Sequence, residues 1–181
     1  THARASSTPT HWAGYDEAVV AVFMRPDWDA MTTRQFNAVS DYVARGGTVL
    51  FADPVGLVSA SKTVLRKLLP VTVIGVRDID YIDGIEPVGG HVVTWPAGTP
   101  FLESTMREEG IATLWQRDFP LVAWRRYGLG MVGTCAVNPS LVEIRSTRNF
   151  NPIWNHLLAN TGNFSHASRR GSTGLSSALD T

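Results

Sequence analysis

Two short runs of continuous apolar residues, separated by one capped helical segment, constrain this chain more than any other feature. The first, Ala18 to Met24, ends at Arg25-Pro26, and the second, Thr48 to Asp53, ends at Pro54. Runs this short and without polar alternation are the pattern of strands covered on both faces, and the first predicts a central parallel strand. Between them, Thr32-Thr33-Arg34-Gln35 has the form of a capping box, Phe36, Val39 and Val43 share one helical face, and Gly46-Gly47 supplies the stop. Strand, helix and strand in that order predict a right-handed crossover in a parallel sheet, and so an α/β fold.

Downstream, Val64, Leu65, Leu68 and Leu69 fall at helical spacing, which predicts a second helix over Ser59 to Leu69, stopped by Pro70. Val71 to Val76 follows as a strand. From Arg77 to about Met106, Gly84, Pro87, Gly89, Gly90, Pro96, Gly98 and Pro100 break the pattern into short extended pieces and turns. Ile111 to Gln116 and Leu121 to Trp124 read as strands, and Tyr127-Gly128-Leu129-Gly130 is a turn into Met131 to Val137, giving a hairpin. A last helix is capped by Asn151, with Pro152 at its first position, an apolar face of Ile153, Trp154, Leu157 and Leu158, and Gly162 as its close. The expected organisation is a polar leader over 1–13, one domain over 14–162, and a Ser/Gly/Arg-rich tail over 163–181 without periodicity.

Charge excludes some functions early. Lys+Arg and Asp+Glu number 16 each, so no global field draws the chain to nucleic acid or an anionic membrane. The basic residues are nearly all arginine, lysine occurring only at Lys62 and Lys67. A length of 181 residues suits one domain. No stretch reaches the roughly 18–20 apolar residues of a membrane span. The lone Cys135 rules out an internal disulfide and a cysteine-rich zinc site, and leaves the compartment open. A chain opening on Thr1 rather than Met is what a processed form or an excised domain would present.

Three stretches carry a family resemblance. The first is Tyr15-Asp16-Glu17-Ala18-Val19-Val20 with Thr32-Thr33-Arg34-Gln35-Phe36 and Tyr42-Val43-Ala44-Arg45-Gly46-Gly47-Thr48-Val49-Leu50. The second is Leu68-Leu69-Pro70-Val71, and the third runs from Phe119-Pro120-Leu121-Val122-Ala123-Trp124 through Arg125-Arg126-Tyr127-Gly128-Leu129-Gly130-Met131-Val132. In order and spacing, over about Tyr15 to Gly162, they resemble the glutamine amidotransferase-like superfamily, specifically the divergent class-I-type domains of bacterial proteins of unknown function, often attached to membrane proteins. The resemblance implies a three-layer flavodoxin-like sandwich with a mostly parallel central sheet and added hairpins in the C-terminal half.

Active members of that class use a cysteine on a strained strand-to-helix turn, activated by a histidine that a glutamate orients. The matching turn here is Phe51-Ala52-Asp53-Pro54-Val55-Gly56, which places Asp53 at the nucleophile position, and the family's His-Pro-Glu falls on Asn138-Pro139-Ser140. Neither match holds a thiol or an imidazole, and His2, His11, His91, His156 and His166 are scattered over ends, loops and a helix. The implied protein is a pseudoenzyme with no catalytic residues, no cofactor and no metal.

Other candidates have plainer readings. Cys135 lies in an apolar strand, where cysteine is a small core residue. Gly128-Leu129-Gly130-Met131-Val132-Gly133 matches the dinucleotide fingerprint but enters a strand, whereas that motif needs a helix to meet pyrophosphate. Asp78, Asp80 and Asp83 before Gly84 lack calcium-loop spacing, and Gly89 stands where the bidentate Glu belongs. His156 has no ligand cluster beside it at metal spacing. Asn163-Phe164-Ser165 fits a glycosylation acceptor that matters only in a secretory pathway.

Three sets point outward. Trp12, Trp28, Trp95 and Trp115 fall in or near loops and sheet edges, where tryptophan either caps the sheet or anchors a partner; Trp28 and Trp95 are the partner-binding candidates. Arg125-Arg126 and, in the tail, Arg169-Arg170 suit a partner's carboxylate or phosphate. Asp27 and Asp29, with Asp53 after the neighbouring strand, outline an acidic crevice at the carboxyl ends of the strands, where open α/β sheets bind ligands. The expected function is a non-catalytic binding or assembly module, an accessory subunit of a larger bacterial complex with other protein subunits, membrane-associated or not. The alternative is a hydrolase or a small-molecule or metal-binding enzyme using the aspartate crevice.

Overall fold

The computed structural model describes residues 7–82 and 93–139, together with Trp154, His156, Leu157 and Ala159. In chain order the elements are β1 (Ala21–Phe23), α1 (Thr33–Ala44), β2 (Thr48–Phe51), α2 (Pro54–Ala60), β3 (Val71–Ile82), β4 (Val93–Met106), β5 (Gly110–Gln116), β6 (Phe119–Tyr127) and β7 (Gly130–Cys135). Short 3-10 turns lie at Trp12–Tyr15 and Val64–Lys67.

The α/β class holds. A five-stranded sheet has the order β1-β2-β7-β6-β5, and β3 with β4 forms a separate two-stranded antiparallel ribbon. β1 with β2 and β2 with β7 are parallel, while β6 runs against both β7 and β5, so four of the five strands point one way. β7 is buried along its whole length and β2 over all but Thr48, which is why both read as continuous apolar runs.

The first run is shorter and more peripheral than its sequence predicts. β1 is an edge strand of three residues rather than a central one. Its N-terminal half is taken up in other bonds: Ala18 N–H donates to Tyr15 O at 2.9 Å, and Ala18 O accepts from the Tyr42 hydroxyl at 2.8 Å. Val19 is left 88% exposed.

α1 forms where the capping box placed it. Thr32 Oγ1 accepts from Gln35 N–H at 3.4 Å, and Gln35 Oε1 accepts from Thr32 N–H at 2.8 Å. Gln35 Nε2 also donates to Thr8 O at 2.8 Å, tying the leader to the helix. The helix ends in a Schellman arrangement, with Gly46 at φ +114, Gly46 N–H on Val43 O and Gly47 N–H on Tyr42 O, each at 3.0 Å. Val39 and Val43 are fully buried in the core with Val49, Leu50, Val122 and Val132.

The second helix is a correction. α2 occupies Pro54–Ala60, with Asp53 as N-cap and Pro54 at the first position, and the apolar stretch after it makes only the 3-10 turn Val64–Lys67. Ser61 Oγ donates to Val58 O at 2.7 Å and Thr63 Oγ1 to Ala60 O at 2.8 Å, and such side-chain bonds to the backbone compete with helix continuation.

The broken stretch after Arg77 is corrected in part. Its pieces up to Ile82 and from Val93 to Met106 belong to the long β3–β4 ribbon, whose register shift at Ile79/Tyr81 absorbs Pro96 and Gly98, Pro100 standing opposite Asp78, while Gly84, Pro87, Gly89 and Gly90 lie outside the described residues. Leu102 N–H donates to Ala136 O at 2.8 Å, fastening the ribbon to the end of β7. The predicted C-terminal helix is seen in part, Trp154, His156, Leu157 and Ala159 being helical; its cap at Asn151 and its close at Gly162 lie outside the described residues.

Candidate functional site at the carboxyl ends of the parallel strands

β1, β2 and β7 deliver their carboxyl ends to one place, and each is followed by a polar residue. Arg25 follows β1, Asp53 follows β2 and Asn138 follows β7. Asp53 is 2% exposed, and both of its carboxylate oxygens are bonded. Oδ2 accepts from Gly56 N–H at 2.7 Å and so caps α2. Oδ1 accepts from Asn138 Nδ2 at 3.0 Å and faces Arg25 Nε at 3.4 Å.

Backbone geometry holds this trio. Arg25 takes a left-handed conformation, φ +49, which turns the chain between β1 and Pro26. Gly56 is pinned from two sides, its N–H on Asp53 and its carbonyl accepting from Trp28 Nε1 at 2.8 Å. A Cβ at Gly56 would lie 3.0 Å from Asp53 Oδ2, so glycine is what lets the carboxylate approach the helix so closely.

The aspartate crevice is only partly assembled. Asp27 and Asp29 are exposed, and Asp27 Oδ1 accepts from Ala30 N–H at 3.2 Å within its own turn, while Asp53 is buried under the Arg25 and Asn138 side chains. Among the described residues, no group of three or more His, Cys, Asp or Glu is arranged to hold a metal ion.

Trp28 is not a surface anchor. It is 4% exposed, stacks on Phe36 at 6.2 Å and lies tilted against Phe23 and Phe51 at 5.5 and 5.8 Å, so it belongs to the core beneath the site. Trp12 is covered by the Arg45 guanidinium at 4.5 Å, and Trp115 on β5 is 45% exposed. Trp95 falls within β4, and its side chain lies outside the described set.

Arg125 is turned inward, its Nη1 donating to Lys67 O at 2.8 Å and its Nη2 paired with Glu109, whereas Arg126 is exposed. Arg169 and Arg170, with the rest of the tail, and Asp83, Gly84, Gly89, Ser140 and Asn163 lie outside the described residues. Cys135 is fully buried, and burial pushes its thiol up to about 11. Burial also lowers His156 below the usual imidazole value.

The fingerprint glycines answer to packing. Gly128 sits at φ +60 with no room for a Cβ against the Ala44 backbone, Gly130 packs against the carbonyls of Val43 and Gly47, and Gly133 lies under the Trp124 ring. The segment runs into β7, as the hairpin reading expects. Sequence reasoning overlooked Arg25. The signals that mark the site are Asp53-Pro54 and Asn138-Pro139, each following an apolar strand.

No known family profile matches the chain, and no curated protein matches it in sequence. Solved structures do share its fold. Cytoplasmic Protein STM1381 from Salmonella typhimurium LT2 superposes with a TM-score of 0.69 at 15% identity, over 89% of this chain and 80% of that one. Cytoplasmic Protein STM3548 from Salmonella typhimurium gives 0.65 at 17% identity, over 86% and 78%. The mmIFT52 N-terminal domain gives 0.59 at 12% identity, over 84% and 81%. At these identities the likeness is one of fold.

Proposed function

We propose that the chain is a non-catalytic binding or assembly module, a pseudoenzyme of the class I glutamine amidotransferase-like type with that fold's three-layer arrangement, serving as an accessory subunit of a larger complex. One observation carries this reading. Asp53 and Asn138, which the resemblance matches to the nucleophile and to the histidine of the His-Pro-Glu, meet at 3.0 Å across the ends of adjacent parallel strands. Side chains in that relation suit an ancestral catalytic pair. Here a carboxylate and an amide stand there, already bonded to each other, to a helix N-terminus and to Arg25, so neither is a nucleophile with a base beside it. Among the described residues no helix is long and apolar enough to cross a membrane.

The test is to purify the endogenous protein in mild detergent and identify what stays attached by mass spectrometry. Other subunits in stoichiometric amounts are expected. A lone monomer that hydrolyses glutamine, and loses that activity with Asp53→Asn, overturns the proposal.

A further inference from the structure

A polar concavity lies away from the strand-end trio, in the angle between the Val64–Lys67 turn, the start of β3 and the turn after β4. It has a volume of about 200 Å³, and Arg66, Arg107, Thr72 and Ser61 are among its lining residues. Its walls are fixed by main chain and core. Arg107 N–H donates to Pro70 O at 3.0 Å, holding the turn after β4 against the start of β3, and the lining residues Leu69 and Val71 are buried.

Among the described residues, two arginines and no carboxylate line this groove. Arg107 is acted on by Arg125 and Arg66, both of which oppose its charge, and by one carboxylate, Glu109, which favours it. Glu109 is itself paired with Arg125. Arg66 stands exposed at the end of its turn with Lys67 beside it. Burial first, and then these two guanidiniums, hold Arg107 below its ordinary arginine value.

We infer that the groove between Arg66 and Arg107 is a binding site for a phosphoryl group, free or borne by a small molecule. Two arginines lining one groove match a dianion, and Glu109, the carboxylate that acts on Arg107, is itself paired with Arg125. Thr72 adds an exposed hydroxyl; Ser61 has already committed its proton to Val58 O and offers only an acceptor. This inference is independent of the pseudoenzyme reading, since it uses no residue of the strand-end trio.

Titration of the full chain with inorganic phosphate, at constant ionic strength held with NaCl and followed by heteronuclear NMR, tests it. Saturable shifts are expected in the backbone amides of Arg66, Thr72 and Arg107. Arg66→Gln and Arg107→Gln should each raise the apparent Kd about tenfold, the loss of one charge-assisted contact. Arg126→Gln, which alters an exposed arginine outside the groove, should leave it unchanged. Phosphorylated sugars in a second series separate free phosphate from a phosphoryl group on a carrier: tighter binding assigns a carrier, equal binding assigns phosphate itself, and either supports the site. Shifts that fail to saturate, an equal loss in Arg126→Gln, or citrate binding where phosphate does not, overturn it.

Discussion

Replacing Asp53 measures whether the strand-end trio stabilises the fold or is held ready for chemistry. Asp53→Ala removes the cap of α2, which is worth about 1 kcal/mol. It also leaves the buried Asn138 amide without this acceptor, which adds about 1–3 kcal/mol. Arg25 contributes little, because its side chain is 63% exposed and water screens the pair. The expected loss is therefore about 2–4 kcal/mol, read as a fall in the urea midpoint at unchanged slope. Asn138→Ala should lose about 1–2 kcal/mol, and the double variant should lose less than the sum by about 1 kcal/mol, since the two groups touch. Asp29→Ala, exposed in the neighbouring turn, should stay within about 0.5 kcal/mol of the parent. Tryptophan fluorescence and far-ultraviolet circular dichroism, followed together, report the transition. Should Asp53→Ala prove as stable as the parent or more so, the carboxylate is being held at the expense of stability, as functional groups are, and the structural reading of the trio fails.

Other perturbations probe the rest of the fold. Cys135 should resist thiol reagents at pH 8 until the chain unfolds, because burial keeps the thiol protonated; rapid labelling of the folded protein would contradict its place in the core. Its raised value also carries a sign: the unfolded thiol ionises first, so stability present at neutral pH falls as pH rises from about 9 toward 11, and Cys135→Ala should flatten that part of the profile. Gly133→Ala puts a methyl group about 2.5 Å from Trp124, which is too buried to yield, so a loss of about 1–3 kcal/mol in thermal or urea unfolding is expected. Gln35→Ala breaks the capping box and the tie to Thr8, and should lower stability by about 1–2 kcal/mol while making the leader more susceptible to limited proteolysis.

What could be read in the sequence was local. The capping box at Thr32, the glycine stop at Gly46-Gly47 and the hairpin turn at Gly128 are short-range signals, and each stands where its residues indicate. The same kind of signal is present at Asp53-Pro54, an N-cap followed by a first-position proline, at the end of a strand where catalytic groups of α/β folds also stand. Leu65, Leu68 and Leu69 have helical spacing and are all buried, yet Ser61 and Thr63 divert the backbone before them, and periodicity does not register that competition. The meeting of Arg25, Asp53 and Asn138 was illegible for another reason. It depends on β7 lying beside β2, a pairing that no local pattern encodes.

That pairing has a consequence for how the protein is made. Thr48 pairs with Met131 and Phe51 with Thr134, so β2 acquires its inner neighbour only when nearly all of the described chain exists. On the ribosome, β1, α1 and β2 emerge as a crossover whose inner edge is bare, and the hairpin that covers it contains the last of the described strands to emerge. Closing so long a loop before the sheet can consolidate makes folding slow for the size of the chain, and it makes a nascent product truncated before β7 a sticky half-sheet rather than a smaller domain.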